Sequence, residues 1–261
     1  MNNINYPDLM MDAISELAEE ERAYRTPPVP GLPDLRSVLA DASPLPREAA
    51  FLGLAEDGLP VLLNLYDSIP GPILVSGDQA CGKTRLLQTV ARAAEFTHLS
   101  SDVQFSILTP HPNEWDGFQG SQHNTGIYAA QDSAINGFLQ SLVDWAHNNK
   151  DNQQSILLLV DDIEALINTG QQTSQNLRWL LLRGPSRHVW PIVTVNAGRA
   201  KNIEVWLNFF RTRLFGRTSD INDASLLTGD PNKSLSELTA GSEFTLREGS
   251  NWLNFWVPAG V

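Results

Sequence analysis

An α/β fold, with a mostly parallel sheet flanked by helices, is what this 261-residue sequence predicts, and three features predict it. From about residue 48, short apolar runs alternate with helix-length amphipathic stretches, the order that yields parallel strands joined by crossover helices. Residues 156–160, Ile-Leu-Leu-Leu-Val, form an unbroken apolar run of the kind found in strands buried on both faces. A glycine-rich turn at 77–84 stands between one such run and a helix.

The elements follow in order. Residues 8–25 read as an amphipathic helix, with Leu9, Met10, Ala13, Ile14 and Leu17 opposite Glu16, Glu19, Glu20 and Glu21. "TPPVPGLPDL" then breaks it, four prolines making a stiff extended connector. Residues 1–45 are thus expected as an appendage, its helix packing on the body or docking another subunit, and 46–261 as the main domain. "PVLLNLY" and "PILVSG" are strands. "TRLLQTVARAAEF" is a helix with Leu86, Leu87, Val90, Ala91 and Ala94 on one side. "VQFSILTP" is a strand, and "SAINGFLQSLVDWAHNN" a helix that turns Ile135, Phe138, Leu139, Leu142 and Val143 inward. "SILLLVDDIEAL" is a buried strand ending in acids. "TSQNLRWLLLRG" is a helix, "VWPIVTVN" a strand and "KNIEVWLNFF" a helix. The tail, "EFTLREGSNWLNFWVP", reads as a hairpin turning at residues 248–251.

Composition narrows the function. The net charge is −12 and only four lysines occur, which argues against a broad basic face for nucleic acid. A local patch of Arg211, Arg213 and Arg217 would form if strand alternation ran through them without a bulge. A single cysteine, Cys81, excludes an internal disulfide and fits a reducing cytoplasm. No apolar run approaches the roughly 20 residues needed to span a bilayer, so no direct membrane insertion is expected. The five histidines lack metal-ligand spacing with that cysteine, which argues against zinc. The seven tryptophans read as core or interface fillers.

Gly77-Asp78-Gln79-Ala80-Cys81-Gly82-Lys83-Thr84 satisfies the pattern G-x-x-x-x-G-K-[ST] in full. Its glycines let the backbone curl so that several N–H groups converge on a phosphate, and the helix that starts there adds its positive end. Lys83 is placed to reach the β and γ oxygens of a triphosphate, and the Thr84 hydroxyl to join a Mg2+ shell. A second strand agrees: Ile156–Val160 delivers Asp161 and Asp162 at its C-terminal end, where α/β sheets place ligands. Asp161 would hold Mg2+ through water, and Asp162 or Glu164 would polarise the attacking water. The same acids can cap the next helix, and the two roles are compatible. ATP with Mg2+ is the cofactor this pairing predicts.

From about residue 52 to 248 the chain resembles the FtsK/HerA superfamily of P-loop ATPases, in particular its FtsK/SpoIIIE branch. "GLAEDGLPVLLNLYDSIPGPILVSGDQACGKT" is similar to the family's order of glycine, polar turn, strand and phosphate loop. "FSILTPHPNEWDGF" resembles its second strand with a Pro-x-x-Glu-like continuation, and "LLLVDDIEAL" its metal-binding strand. "RGPSRHVWPIVTVNAGRA" resembles the helix-to-strand segment ending in a polar sensor, and "TRLFGRTSDINDASLLTG" the late strand and following helix. The resemblance implies a RecA-like core of the additional-strand type, hexameric rings with ATP between neighbours, and translocation of DNA or, in the EssC-like branch of type VII secretion, of protein. It places Lys83 and Thr84 on phosphate and Mg2+, Asp161 on Mg2+, and Asn196 where a sensor glutamine usually stands.

Three departures set an alternative beside the motor. Asp162 stands where a longer glutamate is usual, and a base displaced by about 1 Å can cost on the order of 100-fold in rate. Pro185 takes the position of a usual arginine, leaving Arg187 or Arg183 as substitutes for a group worth roughly 10³–10⁵ in turnover where it operates. Asn196 is shorter than the usual amide. These changes fit a slow ATPase, or a nucleotide-binding regulatory or scaffold module of a larger secretion or translocase assembly.

Overall fold

The computed structural model describes residues 31–149, 154–248 and 251–260. The helix expected at 8–25 lies outside them. A seven-residue helix, α1 (Leu35–Asp41), opens the described chain, its N-terminus capped by Asp34, which accepts from the Ser37 amide. Leu35, Val38 and Leu39 pack with Phe51, Leu54 and Ala93, so this part of the segment read as an appendage is built into the body.

The chain continues through β1 (Ala49–Ala55), β2 (Pro60–Asn64), β3 (Ile73–Gly77), α2 (Lys83–Thr97), β4 (Val103–Thr109), a 3-10 helix over Pro112–Phe118 and β5 (Asn124–Ala129). Next come α3 (Ala134–Asn148), β6 (Ser155–Val160), α4 (Ile163–Ile167), α5 (Gln171–Arg183), a 3-10 turn at Pro185–Arg187 and β7 (Val189–Asn196). A 3-10 helix over Ala197–Ile203, α6 (Glu204–Leu207), β8 (Thr212–Gly216), α7 (Ile221–Thr228), β9 (Glu243–Glu248) and β10 (Asn251–Trp256) complete it. The strands form one ten-stranded sheet in the order β2-β1-β10-β9-β8-β3-β7-β6-β4-β5. The six strands from β8 to β5 run parallel, and the four from β9 to β2 extend the sheet antiparallel. This is the mixed, mostly parallel α/β sheet that the sequence predicts, with β7 inserted between the strand of the glycine turn and the acid-tipped strand.

Strand alternation distributes the core to both faces. Ile73, Val75, Leu157 and Leu159 pack with Leu86, Leu87, Val90 and Ala91 of α2. Leu74, Leu158 and Val160 face the other way, onto Leu139 and Leu142 of α3 and Leu177, Leu180 and Leu181 of α5. Each such leucine, isoleucine or valine, removed from water, contributes roughly 1.5–3 kcal/mol. Because β3 and β6 are covered on both sides, their C-terminal ends are held rigidly where the chemistry must sit.

Two details differ from expectation. "KNIEVWLNFF" is not one helix: the 3-10 helix brings Ala197, Ala200 and Ile203 inward at three-residue spacing, and only then does α6 form. β1 and β5 complete the sheet beyond the strands the sequence predicts. The terminal hairpin forms as expected, with Asn251 opposite Glu248.

Candidate functional site

The phosphate-loop sequence forms a tight turn between β3 and α2. Gly77, Ala80 and Gly82 take φ of 155°, 59° and 101°. At Gly82 glycine is required twice over: its φ disfavours a side chain, and a Cβ would lie 2.8 Å from the backbone of Gly241. The loop is tied to its surroundings by main-chain bonds, Asp78 N–H donating to the Arg217 carbonyl at 2.8 Å and Gly241 N–H to the Cys81 carbonyl at 3.0 Å. The Asp78 carboxylate accepts from the Ser219 N–H at 2.8 Å. Cys81 is buried beneath Gly77 and Gly216, and burial pushes its thiol pKa up. No side chain caps the N-terminus of α2, so its first amides face the loop. Lys83 Nζ donates to the carbonyls of Gly77 at 3.0 Å and Asp78 at 2.6 Å, which holds the ammonium over the turn.

The acid-tipped strand meets this loop as its motif predicts. Thr84 Oγ1 donates to Asp161 Oδ2 at 2.7 Å, and Thr194 Oγ1, from β7 between the two strands, donates to Asp161 Oδ1 at 2.9 Å. Asp161 is buried, and burial raises its carboxyl pKa; the hydrogen bonds from Thr84 and Thr194 and the charge of Lys83 oppose that rise. Hard oxygens 2.7 Å apart on Thr84 and Asp161 suit Mg2+, which takes one or two protein ligands and completes its shell from phosphate and water. The described residues contain no group of three or more His, Cys, Asp or Glu that could hold a metal by themselves.

The neighbouring acids are engaged elsewhere. Asp162 has φ 91°, its N–H donates to Thr194 Oγ1 at 2.9 Å, and its Oδ1 accepts from the Glu164 N–H, capping α4. Glu164 accepts from Arg199 Nη1 at 3.2 Å and Asn202 Nδ2 at 2.7 Å, and Arg199 also stands 3.7 Å from Asp162 Oδ2. The helix-cap role foreseen for these acids is filled by Asp162, while the Glu164 carboxylate is held by Arg199 and Asn202. Asn196 lies at the loop, opposite Gly77 in the β3–β7 register. Arg187 does not: it precedes β7, at the opposite end of the parallel strands from Lys83. The three-arginine patch does not form, because Arg213 turns inward to donate to the carbonyls of Phe210, Leu227 and Leu207. Glu114, on the 3-10 helix after β4, is raised in pKa by burial and then by the charge of Asp161, with His111 opposing. Thr194, Arg199 and Asn202 carry no motif; the signal available for Thr194 was a hydroxyl in an otherwise apolar run beside the loop.

A phosphate loop, an acid at the tip of a second strand and one strand between them define a P-loop nucleotide-binding core of the additional-strand type. Comparison with known proteins sharpens this. No protein-family model matches the chain. Over 122 residues, 45% of this chain, it is 36% identical to the ESX-4 secretion system protein EccC4 of Mycobacterium tuberculosis (strain ATCC 25618 / H37Rv), a match spanning 10% of that protein. EssC from Geobacillus thermodenitrificans (ATPases 2 and 3) superposes with a TM-score of 0.72 at 14% identity, over 90% of this chain and 49% of that one. Thermomonospora curvata EccC (ATPases 2 and 3), in complex with a signal sequence peptide, gives 0.68 at 17% identity, over 89% and 44%. The fold is that of the FtsK/SpoIIIE-type ATPase domains of EccC and EssC. Among the described residues no helix is long and apolar enough to cross a membrane.

Proposed function

We propose that the chain binds ATP with Mg2+ at residues 77–84 and hydrolyses it, as an ATPase domain serving protein export of the type VII kind. The observation that carries the reading is the Thr84–Asp161 hydrogen bond beneath a loop of the full phosphate-binding pattern. The turn from Gly77 to Gly82 would curl around the β-phosphate, its Asp78 and Cys81 amides holding the turn itself by donating to the Arg217 and Asp78 carbonyls; Lys83 would neutralise the β and γ oxygens, and Thr84 and Asp161 would hold the metal. The metal, when bound, neutralises charge that develops on the phosphates. Asn196, beside Gly77, would sense the γ-phosphate.

Assembly into a hexameric ring would give Arg187 a role, since it stands at the end of the parallel strands away from its own loop, where it would meet a neighbour's. Protein is favoured over DNA as substrate by the likeness to EccC, whose solved complex holds a signal sequence peptide, and by the net charge of −12. The second reading, a module that binds ATP and turns it over little, draws on the engagement of Asp162 and Glu164 by Arg199 and Asn202. Phosphate release separates the two: turnover well above about 10⁻³ s⁻¹, the scale of an unaided GTPase, supports the enzyme, and turnover below it the module. Stimulation by a secretion-signal peptide but not duplex DNA supports export, and the reverse refutes it. Unchanged ATP affinity in Lys83→Ala refutes the site itself.

A further inference from the structure

Resting on the ATP reading, we infer that Glu114, rather than Asp162 or Glu164, is the carboxylate that takes the proton from the attacking water. Three ties set Glu114 beside the metal ligands. β4 lies next to β6 in register, Leu108 opposite Val160, and the Asp161 N–H donates to the Leu108 carbonyl at 2.8 Å. The chain then folds over through His111, whose N–H donates to Thr109 Oγ1 at 3.0 Å and whose carbonyl accepts from the Glu114 N–H at 3.1 Å. Gln88 of α2, one turn beyond Thr84 on the same face (about 6 Å along the axis), donates through Nε2 to the Glu114 carbonyl at 2.8 Å. Thr84, Asp161 and Glu114 therefore converge on one end of the sheet, and the Glu114 carboxyl is near enough to Asp161 to feel its charge.

What distinguishes Glu114 is availability. A general base needs a lone pair open to the water it deprotonates, within hydrogen-bond reach. Asp162 spends one oxygen on the cap of α4 and has Arg199 near the other, and both oxygens of Glu164 are taken by Arg199 and Asn202. Among the described residues no hydrogen bond to the Glu114 carboxylate and no ion pair with it is found, only the nearby charge of His111, and the residue is exposed. In the step assigned to it, the water oxygen bonds to the γ-phosphorus as the bond to the β–γ bridging oxygen breaks. That bond's electron pair stays on ADP, and the water proton passes to Glu114, which returns it to phosphate or solvent.

The test compares Glu114→Gln with the intact chain and with Asp116→Asn, an exposed change on the same 3-10 helix, each checked for an unaltered melting temperature. Calorimetry gives the affinity for MgATP and phosphate release gives kcat. Glu114→Gln is expected to bind MgATP within threefold of the intact chain while kcat falls by about 10²–10⁴, and Asp116→Asn to change neither. Turnover in Glu114→Gln within threefold of the intact chain overturns the inference, as does a loss of affinity proportional to the loss of turnover. An intact chain that binds MgATP but releases no phosphate overturns it too, while leaving the nucleotide site standing; unchanged binding in Lys83→Ala would remove the nucleotide site instead.

Discussion

Replacing Thr194 by valine keeps the shape of a β7 residue that is buried to 1% exposure and removes one hydroxyl. That hydroxyl holds two groups of the site: it donates to Asp161 Oδ1 at 2.9 Å and accepts from the Asp162 N–H at 2.9 Å. A hydrogen bond to a charged group contributes about 1.5–3 kcal/mol, and a partly buried amide left without its acceptor costs about 1 kcal/mol. Thr194→Val should therefore destabilise the fold by about 2–4 kcal/mol. Urea unfolding reads this directly: for a chain of this size the slope lies toward the upper end of about 1–3 kcal/mol/M, so the midpoint should fall by about 1 M. Thr194→Ser, which restores the oxygen and drops the methyl, should recover most of the loss. The sign with pH follows from Asp161, whose folded pKa lies above its unfolded one because of burial. Such a group favours folding most in acid and loses that contribution as pH rises through the folded value. Removing a bond that offsets burial raises the folded value further, so the penalty of Thr194→Val is smallest in acid and grows as Asp161 ionises. A midpoint within about 0.2 M of the parent would refute the role given to the hydroxyl, and a Thr194→Ser variant as weak as Thr194→Val would assign the effect to the methyl.

Three further outcomes are expected. Gly82→Ala places a Cβ against the Gly241 backbone at a φ of 101°, so it should abolish ATP binding in calorimetry and destabilise by roughly 1–3 kcal/mol from strain alone. Arg85→Ala removes donors to the carbonyls of Gly241 at 3.2 Å and Pro258 at 2.7 Å and should cost about 1.5–3 kcal/mol in urea unfolding. Cys81, at 1% exposure with its thiol pKa pushed up by burial, should react with an aromatic disulfide far more slowly than an exposed thiol, and MgATP should slow it again.

Motifs whose chemistry is local were legible in the sequence. The loop at 77–84 and the run into Asp161 are each fixed within a few residues, and each forms as the pattern requires. Elements held by distant partners were not. β5 carries Gly126, and its burial is incomplete along its length, so no apolar run marks it; pairing with β4 makes it a strand. α1 follows a proline-rich stretch and spans seven residues, too few for periodicity to show. β7, by contrast, was legible as a strand despite Pro191, which disfavours an interior position: Pro191 pairs with Leu158 of β6, while β3 joins β7 only from Ile192 onward. The partners of Glu164 lie 35 and 38 residues away, and no local pattern announces them.

The antiparallel strands bear on the site as well as on the edge of the sheet. Without them β8 would present an open edge beside the phosphate loop, the kind of edge that invites pairing with other chains. β9 and β10 cover it, and the residues flanking that hairpin reach back to the loop. Gly241 gives its amide to Cys81 and presses on Gly82, while its carbonyl and that of Pro258 are gripped by Arg85, one residue past Thr84. The glycine turn is thus clamped from the hairpin side by Gly241 and from the β8 side by Arg217 and Ser219. A turn held on both sides keeps its amides in place before a phosphate arrives, which lowers the ordering cost of binding. Any movement of the turn must in turn pass into the hairpin through the same bonds.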